Sequence, residues 1–254
     1  MPSSSRASAT SSSTWNQAVE NRRFLASLGG DVRLLTHQHG HILPGGLASQ
    51  APLGATSCGR IDTIAAMHAW FDAKLRGRAD AIADLPRVCL SLDDERGVEL
   101  GDVPRADGTV VIEIPPGTEV GPERSNLKDG AGGLFVPLSG PLPGGERVLA
   151  GIPVASLVVT PAAPEAEAVA FVGIAIESPG EPPRLVDDQV APLRAGRHDD
   201  IELIGVAEAV APGDRVGVLL YGRFDQYENG MRTSFPENRY RIAGTVALPL
   251  RPAR

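Results

Sequence analysis

The sequence lacks the features that mark membrane-spanning and secreted chains. No apolar run approaches the roughly 18–20 residues that a spanning helix requires. The opening MPSSSRASATSSS has no apolar core of the kind that a secretory signal contains. We therefore expect a soluble protein with a disordered tail over residues 1–13. Localisation stays open: cytoplasmic for the chain as given, or exported if its true start lies upstream.

Cysteines, aromatic residues and positive charge are also scarce. Aromatic residues make up 4% of the 254 residues, and the formal net charge is -7. This charge disfavours nucleic acid and anionic membranes as partners. Two cysteines, Cys58 and Cys89, cannot define a disulfide framework. The favoured interpretation is two buried thiols, and one bridge stays possible if the protein is exported.

Glycine and proline are abundant, with 29 and 22 residues. Together with the few aromatics they favour many short strands joined by turns. From Pro86 onward, short apolar runs alternate with turn residues, which predicts a β-sandwich or jelly roll over residues 85–254. Within it, residues 115–147 are rich in turn formers and are predicted to form an excursion across the surface. The runs are RVCLSL, TVVIEI, VASLVVT, AVAFVGIAI, DIELIGVAEAV, DRVGVLLYGR and RYRIAGTVALPL.

The first part of the chain has a different pattern. Helical spacing predicts a helix over residues 16–28 that ends at Gly29, followed by a short buried strand in DVRLLT. A second amphipathic helix, in residues 61–77, ends at Gly77. This is the pattern of an α/β layer with a single strand, over residues 14–80. The predicted apolar faces are Ala18, Arg22, Leu25 and Leu28 in the first helix, and Ile61, Ile64, Ala65, His68, Phe71 and Leu75 in the second.

The order of these pieces resembles the C-terminal half of the Xaa-Pro dipeptidyl-peptidase and cocaine-esterase family of serine hydrolases. HQHGH resembles the Gly-His that bears the family's triad histidine, and AAMHAWFDAKLRG resembles the last helix of its α/β-hydrolase domain. Residues 151–161 and 211–220 resemble strands of its C-terminal domain. The resemblance implies a mainly β chain: a jelly-roll, galactose-binding-like β-sandwich preceded by a truncated α/β-hydrolase remnant.

The resemblance also implies a function and a catalytic residue. His41 would be the general base, and the substrate would be a small acyl or peptide compound. However, the sequence contains no Gly-x-Ser-x-Gly elbow, and no acid stands where the family has one. The chain alone is therefore expected to be non-catalytic, unless the missing triad members are supplied by other sequence. The alternative is a non-enzymatic jelly-roll module that binds a partner or a carbohydrate.

The other candidate site residues have structural interpretations that we favour. His37, His39 and His41 occupy alternate positions, as metal ligands on one face of a strand would. No carboxylate or cysteine accompanies them, so we predict neither a metal nor a cofactor. Ser49 and Ser57 lack elbow glycines, which makes a rebuilt triad improbable. The remaining interpretations are a helix N-terminal role for Asp62, a partly buried structural role for His68, packing for Trp70 and Phe71, and a polar hairpin loop, or a groove lining, for residues 221–232.

Overall fold

The computed structural model describes residues 15–37, 57–93, 95–121, 133–140, 142, 145–163, 169–224, 227 and 239–253. The chain divides into two compact units. The first unit is Met1–Val103 with Ala207–Ala209 and Ala253–Arg254, and the second unit is Pro104–Val206 with Val210–Pro252. No helix among the described residues is both long and apolar enough to cross a membrane.

The first unit combines two helices with a small sheet. In the sheet, β1 runs parallel to β4 and β4 runs antiparallel to β5, which gives the order β1-β4-β5. A separate hairpin, β2 and β3, leads into the second helix. The elements are α1 (Trp15–Ser27), β1 (Leu34–Leu35), β2 (Ser57–Cys58), β3 (Ile61–Asp62), α2 (Thr63–Arg76), a 3₁₀ turn (Ala79–Ile82), β4 (Val88–Ser91) and β5 (Gly97–Leu100).

The assignment of the run RVCLSL to the sandwich is wrong. In the structure this run is β4, and it pairs in register with β1, Leu34 opposite Val88 and Leu35 opposite Cys89. The single predicted strand of the α/β layer therefore has a partner from further along the chain. A short apolar run looks the same in the sequence whether it lies in a parallel sheet or in a sandwich core, and here only the pairing distinguishes the two.

The helices lie where the sequence places them, but their buried faces differ. Both end at glycines with positive φ, Gly29 at 83° and Gly77 at 72°. The predicted buried residues are largely exposed, at 48% for Leu25 and 78% for Leu75. His68, predicted to be partly buried, is exposed as well. Arg22 is buried, which confirms its predicted place on the inner face of α1, whereas the other buried positions, Val19 in α1 and Ala66 in α2, were not predicted.

The second unit is built from antiparallel strands. One sheet has the order β11-β10-β15-β7, with β12 also paired to β10, and the other has the order β13-β9-β16-β6. Residues 207–209 of β14 fall in the first unit. The strands of residues 111–252 are β6 (Val111–Val120), β7 (Leu134–Pro137), β8 (Arg147–Gly151), β9 (Val154–Pro161), β10 (Val169–Glu177), β11 (Arg184–Leu185), β12 (Ala191–Arg194), β13 (Gly196–Glu202), β14 (Val206–Val210), β15 (Arg215–Tyr221), β16 (Tyr240–Ala247) and β17 (Leu250–Pro252). β17 pairs with β8.

One apolar core joins the two sheets. Leu157, Ile242 and Ile112 enter it from the four-stranded sheet, and Ile174 and Val218 enter it from the five-stranded sheet. Residues that alternate along each strand thus meet between two antiparallel layers, which is the arrangement of a β-sandwich. The predicted mainly β fold is confirmed, and the jelly-roll connectivity stays a prediction.

The prediction of a surface excursion over residues 115–147 is wrong at both ends. β6 continues to Val120, and β7 lies inside the range. Pro115 and Pro116 are tolerated in β6 because the register with β16 shifts there, between Ile242 and Gly244. A proline has no N–H for the ladder, so it fits a bulge on a strand at the end of the sheet order.

Candidate functional site

His41, the predicted general base, lies outside the described residues, and so do His39 and Ser49. The structure does describe the strand that leads towards them. In β1, Leu34 N donates to Arg87 O at 3.0 Å, and Thr36 N donates to Cys89 O at 2.9 Å. His37, half-buried, is the last described residue of this segment. β4 therefore fixes the chain up to four residues before His41.

His37 lines a groove of about 790 Å³ in the first unit. Leu25 of α1 and the α2 residues Met67 and Trp70 supply apolar wall, and Leu35 of β1 contributes as well. The polar lining residues are Asp31, Arg33, His37 and Thr63. The groove thus combines an apolar surface with a few polar groups, as small-molecule sites and unfilled packing surfaces both do.

Asp31 is the one carboxylate of this groove, and two cations hold it. Lys74 Nζ lies 2.9 Å from Asp31 Oδ2, and Arg33 Nε lies 3.2 Å from Asp31 Oδ1. The Lys74 ammonium, assisted by the Arg33 guanidinium, lowers the pKa of the Asp31 carboxyl. Lys74 also lies over the Trp70 ring, 4.5 Å from its centroid. Asp31 is therefore an ionised structural anchor between its loop and α2.

Asp62 is the N-cap of α2, which confirms the predicted role at the helix start. Its Oδ1 accepts hydrogen bonds from Ile64 N at 2.9 Å and Ala65 N at 3.0 Å. Ser57 faces Asp62 across the β2–β3 hairpin. Since the carboxylate satisfies two backbone donors of the helix, it is committed to capping.

The three-histidine metal hypothesis is not tested, because only His37 of the three is described. Within the described part of the chain, no group of three histidine, cysteine or acidic side chains could hold a metal ion.

The sequence analysis missed the cross-link in this unit. Cys58 and Cys89 form a disulfide, so the favoured interpretation of two free thiols is wrong. Both residues are 1% exposed. The even cysteine count was the only signal, because pairing depends on the hairpin and β4 meeting in space.

A second groove lies on the sandwich. It has a volume of about 490 Å³ and is lined by Glu119, Arg239, Tyr240 and Arg241 among others. Its two guanidinium groups and one carboxylate suit polar or anionic ligands.

The polar-loop interpretation of residues 221–232 is wrong at its start. Tyr221 and Phe224 are both 0% exposed, and they pack with Phe171 on the outer side of the five-stranded sheet. The Tyr221 and Phe224 ring centroids are 5.2 Å apart. Tyr227 extends this cluster, and burial raises the pKa of its phenol. These aromatics are packing residues, and residues 225, 226 and 228–232 of the range lie outside the described residues.

Comparison with known proteins supports the fold. No family model matches the sequence, and no curated protein matches it. Solved structures do match: an aminopeptidase from the marine sediment archaeon Thaumarchaeota archaeon has a TM-score of 0.51 at 15% identity, covering 90% of this chain and 51% of that one. A CocE/NonD family hydrolase from Staphylococcus aureus has a TM-score of 0.50 at 12% identity, covering 76% and 46%.

An α-amino acid ester hydrolase gives a TM-score of 0.49 at 13% identity, over 73% of this chain and 44% of that chain. The matches with TM-scores of 0.50 and 0.51 show that the chain resembles the S. aureus CocE/NonD family hydrolase and the archaeal aminopeptidase in its fold. It spans about half the length of the solved structures that it matches.

Proposed function

We propose that this chain is the C-terminal part of a serine hydrolase of the Xaa-Pro dipeptidyl-peptidase and cocaine-esterase type, which cleaves small esters or peptides. His41 is its general base, and the nucleophilic serine and the triad acid come from residues outside this sequence. The 254-residue chain alone is not catalytic. The proposal is supported by the fold likeness and by the sequence HQHGH at the end of β1.

The incomplete α/β layer of the first unit carries the proposal. Among the described residues β1 pairs only with β4, and no described strand lies along its other edge. Parallel sheets are almost always covered on both faces, and proteins commonly shorten, charge or cover the edge strands of a sheet. Large apolar side chains on both helices are exposed, at 64% for Phe24, 70% for Leu28 and 51% for Phe71. Such surfaces fit a layer whose remaining strands belong to other sequence.

The groove beside β1 belongs to the same incomplete layer. Its lining is apolar on α1, α2 and β1, the three elements that a neighbouring strand and its connections would cover. We therefore interpret this groove as a packing surface of the hydrolase layer, with Asp31 and Lys74 at its polar margin.

His41 would act as in other serine hydrolases. One imidazole nitrogen accepts the hydroxyl proton as the serine oxygen attacks the acyl carbon, and a carboxylate orients the ring through the other nitrogen. The imidazolium then gives the proton to the leaving alcohol or amine. None of these steps needs a cofactor.

The test is labelling of the native protein from its source cells with a fluorophosphonate probe, combined with its intact mass. We expect a labelled product larger than 26.6 kDa, the mass of this chain. His41→Gln in that product should slow labelling by about 10³-fold or more. His39→Gln is the matched control and should label normally. An unlabelled product of the chain's own mass would refute the catalytic proposal.

The second candidate function is a binding module in the sandwich, which the groove at Arg239 and Arg241 favours. Its occupant would be a carbohydrate or an anionic partner surface. Isothermal titration with acidic and neutral oligosaccharides tests this on the whole chain. Arg241→Gln should abolish any binding, whereas Arg251→Gln, an exposed arginine of β17, should leave it unchanged.

A further inference from the structure

Two separate attachments of the first unit meet at one residue of β4. Leu35 of β1 stands opposite Cys89, and Thr36 N donates to Cys89 O at 2.9 Å. Cys58, at the start of the hairpin that leads into α2, is bonded to Cys89 through sulfur. The stretch from Thr36 to Cys58 is therefore tied at both ends to Cys89, once by a hydrogen bond and once covalently.

The disulfide lies in the small core of the first unit. Gly97 of β5 packs directly on it, because a Cβ at Gly97 would lie 2.8 Å from Cys58 Sγ and 2.8 Å from Gly59 N. The hairpin and β5 thus enclose the sulfur atoms. Among the described residues of this unit up to residue 103, the buried apolar ones are Val19, Cys58, Ala66, Ile82, Val88, Cys89, Leu90, Leu92 and Val103.

With so few buried side chains, a cross-link contributes a large share of the unit's stability. A unit with a small apolar core gains most from a covalent tie, because the tie limits the freedom of the unfolded chain. The sandwich has its own extended core and contains neither cysteine.

We propose that the Cys58–Cys89 disulfide is a structural anchor that holds the β2–β3 hairpin and α2 on β4. It forms in an oxidising compartment, and its reduction loosens the first unit while the sandwich stays folded. The anchor does not depend on the proposed hydrolase function.

The chemistry is ordinary thiol–disulfide exchange with a disulfide oxidant, such as the oxidised form of a thiol–disulfide oxidoreductase. One cysteine thiolate attacks an oxidant sulfur to form a mixed disulfide, and the second thiolate displaces the oxidant. Two protons and two electrons leave the cysteines, and the oxidant departs as a dithiol. Reduction by a dithiol is the reverse. Since both cysteines are 1% exposed, exchange requires local opening of the hairpin.

The first test is alkylation of the cysteines of the native protein. The sample is quenched with acid at lysis, unfolded with or without a reductant, and then alkylated. We expect no alkylated cysteine without the reductant and two with it. Two alkylated cysteines in the unreduced native protein would overturn the proposal.

The second test is hydrogen–deuterium exchange of the purified chain before and after treatment with dithiothreitol. Peptides from β1 and α2 should exchange about a hundredfold faster or more after reduction, the order of effect expected for losing a cross-link between residues 31 positions apart. Peptides from β10 and β15 should be unchanged. Equal loosening of both units, or no change in either, would overturn the proposal.

The double variant Cys58→Ser/Cys89→Ser is the matched control. It should show the fast exchange of the reduced protein in β1 and α2, with no further response to dithiothreitol. If the variant does not fold at all, unprotected β10 and β15 peptides will reveal this, and such a result would contradict an effect confined to the first unit. Neither measurement uses hydrolase activity, so failure here is distinct from failure of the proposed function.

Discussion

Lys74 Nζ lies 2.9 Å from Asp31 Oδ2, and this ion pair joins the last turn of α2 to the loop before β1. Neither side chain is fully buried, with 41% and 44% exposed. The pair therefore has modest strength, and it is useful chiefly as a reporter of whether α2 and the loop are in place.

The pair predicts how stability depends on pH. Lys74 lowers the pKa of Asp31 below its ordinary value of about 3.9. A carboxyl with a lowered folded-state pKa stabilises the fold above its unfolded-state pKa, and this contribution disappears as pH falls through the folded-state value. We expect Lys74→Gln to raise the Asp31 pKa in a carboxyl NMR titration and to flatten the loss of stability below about pH 4. Arg76→Gln, which removes the exposed pair with Asp72, should leave the Asp31 titration unchanged.

The Asp62 cap predicts a loss of stability when it is removed. Its Oδ1 accepts from two backbone N–H groups of the first turn of α2. Asp62→Ala should lower the free energy of unfolding of the first unit by about 0.5–2 kcal/mol, measured by urea unfolding with α2 as the probe. Asp62→Asn, which keeps the accepting oxygen, should restore most of the loss. Equal losses in both variants would contradict the capping role.

Two glycines have nearly the same positive φ but differ in how closely other atoms surround them. Substituting each one therefore distinguishes backbone strain from a steric clash. Gly244 in β16 has φ 134° and Gly196 at the start of β13 has φ 133°. A Cβ at Gly244 would lie 2.1 Å from Ser156 O, whereas a Cβ at Gly196 would meet nothing within 4 Å. Gly196→Ala should cost about 1–2 kcal/mol from backbone strain alone. Gly244→Ala should cost several times more or prevent folding of the sandwich. Similar thermal midpoints for the two variants would contradict this difference.

Local signals in the sequence predicted the elements better than their partners. Gly29 and Gly77 ended both helices, because they adopt the left-handed conformation without strain. The apolar run VASLVVT predicted a strand and forms β9, in which buried and exposed positions alternate over most of the strand. The predicted buried face of α2 was wrong because apolar residues lie all around this helix. Periodicity therefore does not decide whether Ala66 or Phe71 is buried.

The sequence patterns did not predict which residues far apart in the chain contact each other. Arg22 is buried in α1 because its Nη1 lies 2.5 Å from Asp102 Oδ1, 80 residues away. Similarly, β4 joins β1, and Cys58 joins Cys89, only after the chain has folded back. Short-range patterns contain no information on such distances. The candidate general base, His41, was predicted from a family resemblance, and the described segment that contains β1 ends at His37.

Substitution of the exposed apolar residues of α2 should affect stability differently in the 254-residue chain and in a longer native product. In the 254-residue chain, Phe71→Gln and Leu75→Gln should change the free energy of unfolding by no more than about 0.5 kcal/mol. They should also reduce self-association in analytical ultracentrifugation, since they remove exposed apolar surface. Leu90→Ala, at 0% exposure, is the contrasting variant and should cost about 2–5 kcal/mol. In a longer native product, Phe71→Gln should become destabilising, because the remaining sheet layer would bury this side chain.

Amide exchange tests the incomplete layer directly in the oxidised chain. Leu34 N and Thr36 N donate to β4, but β1 has two residues, both half-buried, and a single partner strand among the described residues. β10 is flanked on both edges and buried along most of its length. Because exchange follows local opening, the β1 amides should exchange about a hundredfold faster or more than those of Val172 and Ile174, after correction for intrinsic rates. Equal protection would mean that β4 and the disulfide are enough to hold β1, and the argument for missing neighbouring strands would lose its physical basis.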